Sequence, residues 1–293
     1  MKGSLNHMIL VTGATGKTGN AVAQELAAHK IPFRVLVRNA EKGAPFKDLG
    51  AEVAVGDMAD KAAVNEALKG VSKAVLIMAN GEHQLTIEKQ FTDCAVAVGV
   101  KHLVKLSSME SEPGTTKPIP AMHVASEDHI RASGMNWTMI RPTFFTQNFL
   151  PAVRTIKANN EIVLALGNAV VAPTDIRDVA EVIRIVLTND AHLNKSYDLT
   201  GPEAMSLAQA AQTFSKVLGR EIRYVAQPVE DFRKVLTQVG LPAWRVNAVC
   251  DEFKLLSNRA TARTTDTIQQ ILARAPTSVE QFVKDHIKLY QTS

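Results

Sequence analysis

Apolar residues in the first half of the chain fall into short runs separated by stretches with a helical rhythm. The runs are Met8–Thr12, Phe33–Val37, Glu52–Val55, Ala74–Met78, His102–Ser107 and Trp137–Ile140. Each has the length and the apolar, β-branched content of a buried strand. Between them, Val22, Leu26 and Ala27 share one helical face, as do Val64, Ala67 and Leu68. Phe91, Cys94, Ala95 and Val98 recur at the same spacing. Strands alternating with helices predict parallel pairing through right-handed crossovers. The expected fold class is therefore α/β, a doubly wound parallel sheet with its ligand crevice at the carboxyl ends of the strands.

After Pro151 the rhythm changes. Val153 to Asn160 reads as a helix and Glu161 to Leu166 as a short strand. Thr174 to Val179 opens another helix, and Tyr197 to Thr200 reads as a strand. Helices are then predicted at 206–218, 229–239, 243–256 and 277–290. In the last of these, Thr277 and Glu280 read as a capping box ahead of Phe282. The pattern predicts a nucleotide domain over 8–150 and a smaller, helix-rich, substrate-side domain over 151–293. Residues 173–200 are expected to return to the first sheet. Residues 1–7 precede a second Met and read as a leader outside the fold. No internal repeat or low-complexity segment interrupts this order.

The junction of the first strand and first helix carries the chemistry. Gly13, Ala14, Thr15, Gly16, Lys17, Thr18 and Gly19 form a glycine-rich turn, with the helix beginning inside it. Such a turn brings backbone N–H groups and a helix N-terminus onto a pyrophosphate. Gly13 supplies the sharp turn, Gly16 a close approach to phosphate, and Gly19 tight helix–strand packing. At the end of the second strand, an NAD enzyme usually carries an acid for the ribose 2′-hydroxyl. Arg38 stands there instead. A guanidinium suits a 2′-phosphate, so NADP(H) is the preferred cofactor, with NAD(H) possible. Lys42 and Lys17 add charge nearby or are solvated surface cations. Asp57 and Met58 follow the third strand, where they would meet the adenine; capping is the competing role for Asp57. Ala79 and Asn80 end the fourth strand near the ribose, and Ser107 ends the fifth near the nicotinamide.

Composition narrows the class further. The chain has 293 residues, a formal charge of +4 without a basic tract, and two cysteines at no metal-binding spacing. These give no sign of nucleic-acid binding, a disulfide framework or a metal site. No apolar run reaches membrane-spanning length. The expectation is a soluble cytoplasmic protein, a monomer or homodimer, with Cys94 buried on an apolar helix face.

Several segments carry a family resemblance. They are Thr12-Gly13-Ala14-Thr15-Gly16-x-x-Gly19, Ala95-x-x-x-Gly99-Val100-Lys101-His102-Leu103-Val104-x-x-Ser107-Ser108, Trp137-Thr138-x-Ile140-Arg141-Pro142 with Asn148-Phe149, Asp175-x-x-Asp178-Val179-Ala180, and Ala275-Pro276-x-Ser278-Val279-x-x-Phe282. Together they resemble the NmrA-like atypical short-chain dehydrogenases across nearly the whole chain. The resemblance implies a Rossmann domain, a smaller C-terminal domain and NADP(H) in the cleft. It also implies one of two roles: a reductase of quinones, azo dyes or triphenylmethane dyes, or a redox-sensing regulator with little turnover.

One departure bears on mechanism. Typical short-chain dehydrogenases place Tyr-x-x-x-Lys on one helix face, where the ammonium lowers the phenol pKa. The tyrosines here are at 197, 224 and 290, none followed by Lys four residues on, and no lysine lies between Lys117 and Lys157. His123 and Glu127 share a helix face in that region. They read either as a proton donor with its basicity raised by Glu127 or as a solvated helical pair. Phe144, Phe145 and Phe149 would wall an aromatic or conjugated substrate or pack a core. Arg141 is expected to anchor the fold through Asp175 or Asp178.

Reducing a simple ketone creates an alkoxide that needs an acid in place. Quinones and cationic dyes accept hydride without one. The missing pair therefore points to an NAD(P)H-dependent reductase of conjugated, electron-poor acceptors. It also disfavours an isoflavone-reductase-like enzyme, which would use a lysine on that helix.

Overall fold

The computed structural model describes residues 8–257 and 262–291; the leader reading at 1–7 lies outside the described residues. The elements in chain order begin with β1 (Met8–Val11), α1 (Lys17–Ala28), β2 (Phe33–Val37), α2 (Ala40–Asp48), β3 (Glu52–Val55), α3 (Lys61–Ala67), β4 (Val71–Leu76), α4 (Gln84–Ala97), β5 (His102–Leu106), α5 (Pro118–Ala132) and β6 (Asn136–Pro142). A 3-10 turn at Thr146–Ala152 leads to α6 (Val153–Asn159), β7 (Glu161–Leu164), β8 (Val170–Val171), α7 (Ile176–Thr188) and β9 (Lys195–Leu199). The rest is β10 (Met205–Ser206), α8 (Leu207–Leu218), β11 (Arg223–Ala226), α9 (Val229–Gln238), α10 (Ala243–Ser257), α11 (Thr267–Leu272), α12 (Val279–Asp285) and α13 (Ile287–Tyr290).

The chain divides into two compact units. The first comprises 8–116, 120–141 and 179–198; the second comprises 117–119, 142–178 and 199–291. In the first, seven strands form one sheet in the order β3-β2-β1-β4-β5-β6-β9. Strands β1 to β6 pair parallel, as alternation with helices predicts. Val11 of β1 sits opposite Val35 on one side and Val75 on the other, so the strand order reverses beside β1. That reversal point is where a doubly wound sheet opens a ligand crevice. Leu10, Leu36, Leu76, Leu103 and Met139 from the sheet pack with Val64, Phe91, Cys94 and Ile130 from the helices in one core cluster.

Local chemistry sets the helix starts. Asn39 caps α2 by accepting from the Lys42 N–H, and Asp60 caps α3 by accepting from Ala62 and Ala63. Helix α2 has no readable apolar rhythm, since Gly43 and Pro45 interrupt it; its cap is the better signal.

The second unit has its own core. Phe149 packs edge-on to Phe144 and against Phe214, which in turn meets Tyr290. The expected strand at Glu161–Leu166 ends at Leu164 and pairs parallel with β11, a strand too exposed to show apolar alternation. Ser206 and Gln209 form a reciprocal capping box on α8, which ends at Gly219 in the left-handed conformation. The capping box expected at Thr277 and Glu280 is displaced by one residue. Thr277 donates both its N–H and its hydroxyl to Asp178, so Ser278 becomes the cap and accepts from the Gln281 N–H. The helix expected over 277–290 is two, α12 and α13, divided at His286.

Candidate nucleotide and active site

The glycine turn leaves β1 at the reversal point of the sheet. Thr12, the last residue before it, donates to the Val75 and Ile77 carbonyls and accepts from the Ile77 N–H, which ties the exits of β1 and β4 together. Gly13 has φ +62°, and a Cβ there would stand 2.5 Å from the Ile77 oxygen. A Cβ on Gly19 would lie 2.2 Å from the Gly13 oxygen, closer than any side chain tolerates. The turn is therefore closed to larger residues from both sides. Its outer rim, Thr15, Gly16 and Lys17, is exposed, whereas Ala14 and Thr18 are buried beneath. Gly16 occupies the N-cap of α1 without a capping side chain, and no acid lies in the first turn. An uncapped helix N-terminus behind a narrow glycine turn fits a pyrophosphate.

Arg38 and Lys42 are exposed at the end of β2 and the start of α2, and Lys17 is exposed on the turn. Among the described residues no carboxylate pairs with this guanidinium or with the two ammonium groups, unlike Arg34 four residues earlier in β2, which pairs with Glu52 at 2.6 Å. Asp57 is exposed and its Oδ1 accepts from the Ala59 N–H at 2.8 Å, a turn-forming role. Asp60, not Asp57, caps α3. Met58 is half-buried against the first unit's core. Ala79 is exposed and Asn80 half-buried in the loop after β4.

Beyond β5 the side chains form buried polar clusters that the sequence only partly announces. Glu127 is fully buried, and its carboxylate accepts from the Ser107 hydroxyl at 2.6 Å, from Arg141 Nε at 2.8 Å and from Arg131 Nη2 at 2.7 Å. Arg141 Nη2 completes the set. Burial alone would raise the Glu127 pKa, but the bonds from Arg141 and Ser107 hold it below the usual carboxylate range. Arg141 thus anchors through Glu127, correcting the expectation of Asp175 or Asp178. Asp175 instead binds Arg177 and Gln147, and Asp178 binds Arg274 and Thr277.

The expected partnership of His123 with Glu127 is corrected too. His123 is buried, and desolvation, helped by the Lys105 charge, pushes its pKa down to about 3. Glu127 spends its oxygens on the two arginines and Ser107, and its charge, like that of Glu88, raises the His123 pKa by less than burial lowers it. At neutral pH the imidazole is uncharged and unsuited to donate a proton. A second cluster lies beside it. Lys105 and Glu88, both fully buried, pair at 2.7 Å, and Gln84 donates to Glu88 at 3.1 Å. Sequence reasoning missed this pair. The signal was a lysine inside an apolar strand and a Glu88 on the same α4 face as Phe91 and Ala95.

In the second unit, Phe149 is fully buried and Phe144 is 6% exposed, both inside the aromatic core. They read as core residues rather than a substrate wall, because Phe144 packs on Phe149 and Phe149 on Phe214 inside one buried cluster. Phe145 is half-buried, at the N-terminal edge of the 3-10 turn. Among the described residues no group of three or more His, Cys, Asp or Glu could hold a metal ion, and no helix is long and apolar enough to cross a membrane.

Residues 6–283 match the sequence model of the NmrA-like family. The chain belongs to the NmrA-like family. Within it, the chain is 34% identical over 284 residues to a (4-alkanoyl-5-oxo-2,5-dihydrofuran-3-yl)methyl phosphate reductase of Streptomyces griseus, covering 97% of this chain and 99% of that protein. It is 32% identical over 279 residues to an NAD(P)H azoreductase of Xenophilus azovorans, covering 95% and 98%. The solved NADPH complex of the NADPH-dependent quinone oxidoreductase of Escherichia coli superposes with a TM-score of 0.84 at 25% identity, covering 96% of this chain and all of that one. By name these three relatives are reductases of a 5-oxo-2,5-dihydrofuran phosphate, an azo compound and a quinone.

Proposed function

We propose that this protein is an NADPH-dependent reductase of conjugated, electron-poor acceptors. The observation that carries the proposal is the exposed cation set Lys17, Arg38 and Lys42 beside a glycine turn that fits a pyrophosphate, in a chain whose relatives reduce conjugated substrates. NADPH, when bound, supplies the hydride. The backbone of Gly13, Ala14, Thr15, Gly16, Thr18 and Gly19 holds the pyrophosphate at the N-terminus of α1. Arg38 would hold the 2′-phosphate by charge-assisted hydrogen bonds, and Lys42 and Lys17 would add to the field there. Asp57 and Met58 meet the adenine, and the Ala79–Asn80 loop meets the ribose. Phe145 is the one sequence-predicted aromatic with a surface left for a flat substrate.

No residue of this chain is assigned as a proton donor. The Tyr-x-x-x-Lys pair is missing from the sequence, and His123 is neutral and buried. The acceptor must therefore carry the incoming electron pair on a delocalised or already cationic framework, with solvent supplying any proton. Catalysis then consists of holding the two reacting rings together and in register. These features support cytoplasmic action on small molecules.

Steady-state consumption of NADPH by purified protein, with quinones, azo dyes, triarylmethane cations and α,β-unsaturated lactones, tests the proposal. Turnover with at least one class and none with simple ketones is expected. Tight NADPH binding without turnover on any class would instead favour a redox-sensing regulator.

A further inference from the structure

Ser107 follows β5, and both of its hydrogens are committed. Its N–H donates to the Ile140 carbonyl at 2.7 Å, and its hydroxyl donates to Glu127 at 2.6 Å. A serine in that state offers a ligand only the lone pairs of its hydroxyl. In sheet order, Arg38 ends β2, the glycine turn ends β1, and Ser107 lies beyond β4 at the end of β5. A dinucleotide with its phosphate-bearing ribose at β2 and its pyrophosphate at β1 extends its nicotinamide half over β4 and β5.

We propose that Glu127 is a positioning residue that fixes Ser107 as a hydrogen-bond acceptor for an N–H or O–H of the cofactor's nicotinamide half. The inference rests on the cofactor reading above. It also removes Ser107 as a donor to a developing oxyanion, in keeping with acceptors that need no acid. The carboxylate is essential to the polarity. Two arginine donors bind Oε2, and Oε1 takes Arg141 Nε besides Ser107; a glutamine at 127 would keep its amide oxygen on the doubly bound Oε2 side and turn its NH2 toward Ser107, at the loss of the Arg141 Nε bond. Ser107 would then accept from the glutamine and turn its own proton outward, where it opposes the cofactor's donor.

The test is titration calorimetry with NADPH and with 2′,5′-ADP, which lacks both the nicotinamide and its ribose. Ser107→Ala and Glu127→Gln are each expected to weaken NADPH about tenfold, the loss of one ordinary hydrogen bond. The fragment's affinity should hold in both variants, and Ser107→Thr should restore NADPH binding. In the Ser107→Ala background, Glu127→Gln should cost nothing more. Unchanged NADPH affinity in Ser107→Ala overturns the inference, as does an equal loss for the fragment. Ser107→Ala leaves the guanidinium–carboxylate contacts in place, so it decides the matter even where Glu127→Gln does not fold. Failure of the wild type to bind either ligand would overturn the cofactor reading instead.

Discussion

Acidification should destabilise this protein through two histidines before its carboxylates titrate. His123 is buried beside the Lys105 charge, with its pKa lowered to about 3. His102 is buried on β5, hydrogen-bonded through Nε2 to Thr138 at 2.8 Å, with its pKa lowered to about 4 chiefly by burial. In the unfolded chain both titrate near 6.5. Below that value the unfolded state binds protons that the folded state refuses, so stability falls as pH falls. Each pH unit inside the window costs about 1.4 kcal/mol per histidine. Between pH 7.5 and 5 the loss is about 2 kcal/mol for each and about 4 kcal/mol together, against a typical total of about 5–15 kcal/mol. Glu88, Glu127 and Asp175, whose pKa values are also lowered, add their losses mainly below the ordinary carboxylate range. Urea denaturation at the two pH values measures the change. His123→Gln should remove about half of the pH dependence and His102→Gln the other half. A wild type equally stable at both pH values, or variants with the wild-type slope, would refute the reasoning.

Three further outcomes are expected. Arg38→Asp should lower the preference for NADPH over NADH by about 10- to 100-fold, as charge-assisted bonds to the 2′-phosphate are lost and an acceptor for the ribose hydroxyl is gained; parallel titrations check it. Gly19→Ala, whose Cβ would press on the Gly13 oxygen at 2.2 Å, should cost about 1–3 kcal/mol in thermal or urea melts and weaken NADPH binding. Glu88→Gln should destabilise by about 3–5 kcal/mol by stranding buried Lys105, while the double change Glu88→Leu with Lys105→Met should recover most of that loss in the same melts.

The first sheet was legible because its central strands are buried and read as continuous apolar runs; β2 and the more exposed β3 fall on the predicted residues. Strand β4 starts earlier than the apolar run, at Val71, because Lys73 breaks the run while its ammonium reaches the Leu187 carbonyl and Asp190. Short exposed strands such as β11 leave no alternation to read. The glycine turn was legible since its spacing is local. The Glu127 cluster was not, because Ser107, Arg131 and Arg141 converge on it only after β5, α5 and β6 are in place. Phe144 and Phe149 fill a core while Phe145 keeps a partly exposed surface, a difference that a phenylalanine does not show in sequence.

Transfer of the label from NADPH deuterated at its reactive carbon tests the proposed chemistry most directly. With a triarylmethane cation or an unsaturated lactone as acceptor, the expected product carries deuterium on carbon, one atom per NADPH consumed, by mass spectrometry. Product without deuterium, or NADPH left intact beside all of the acceptor classes, would contradict it.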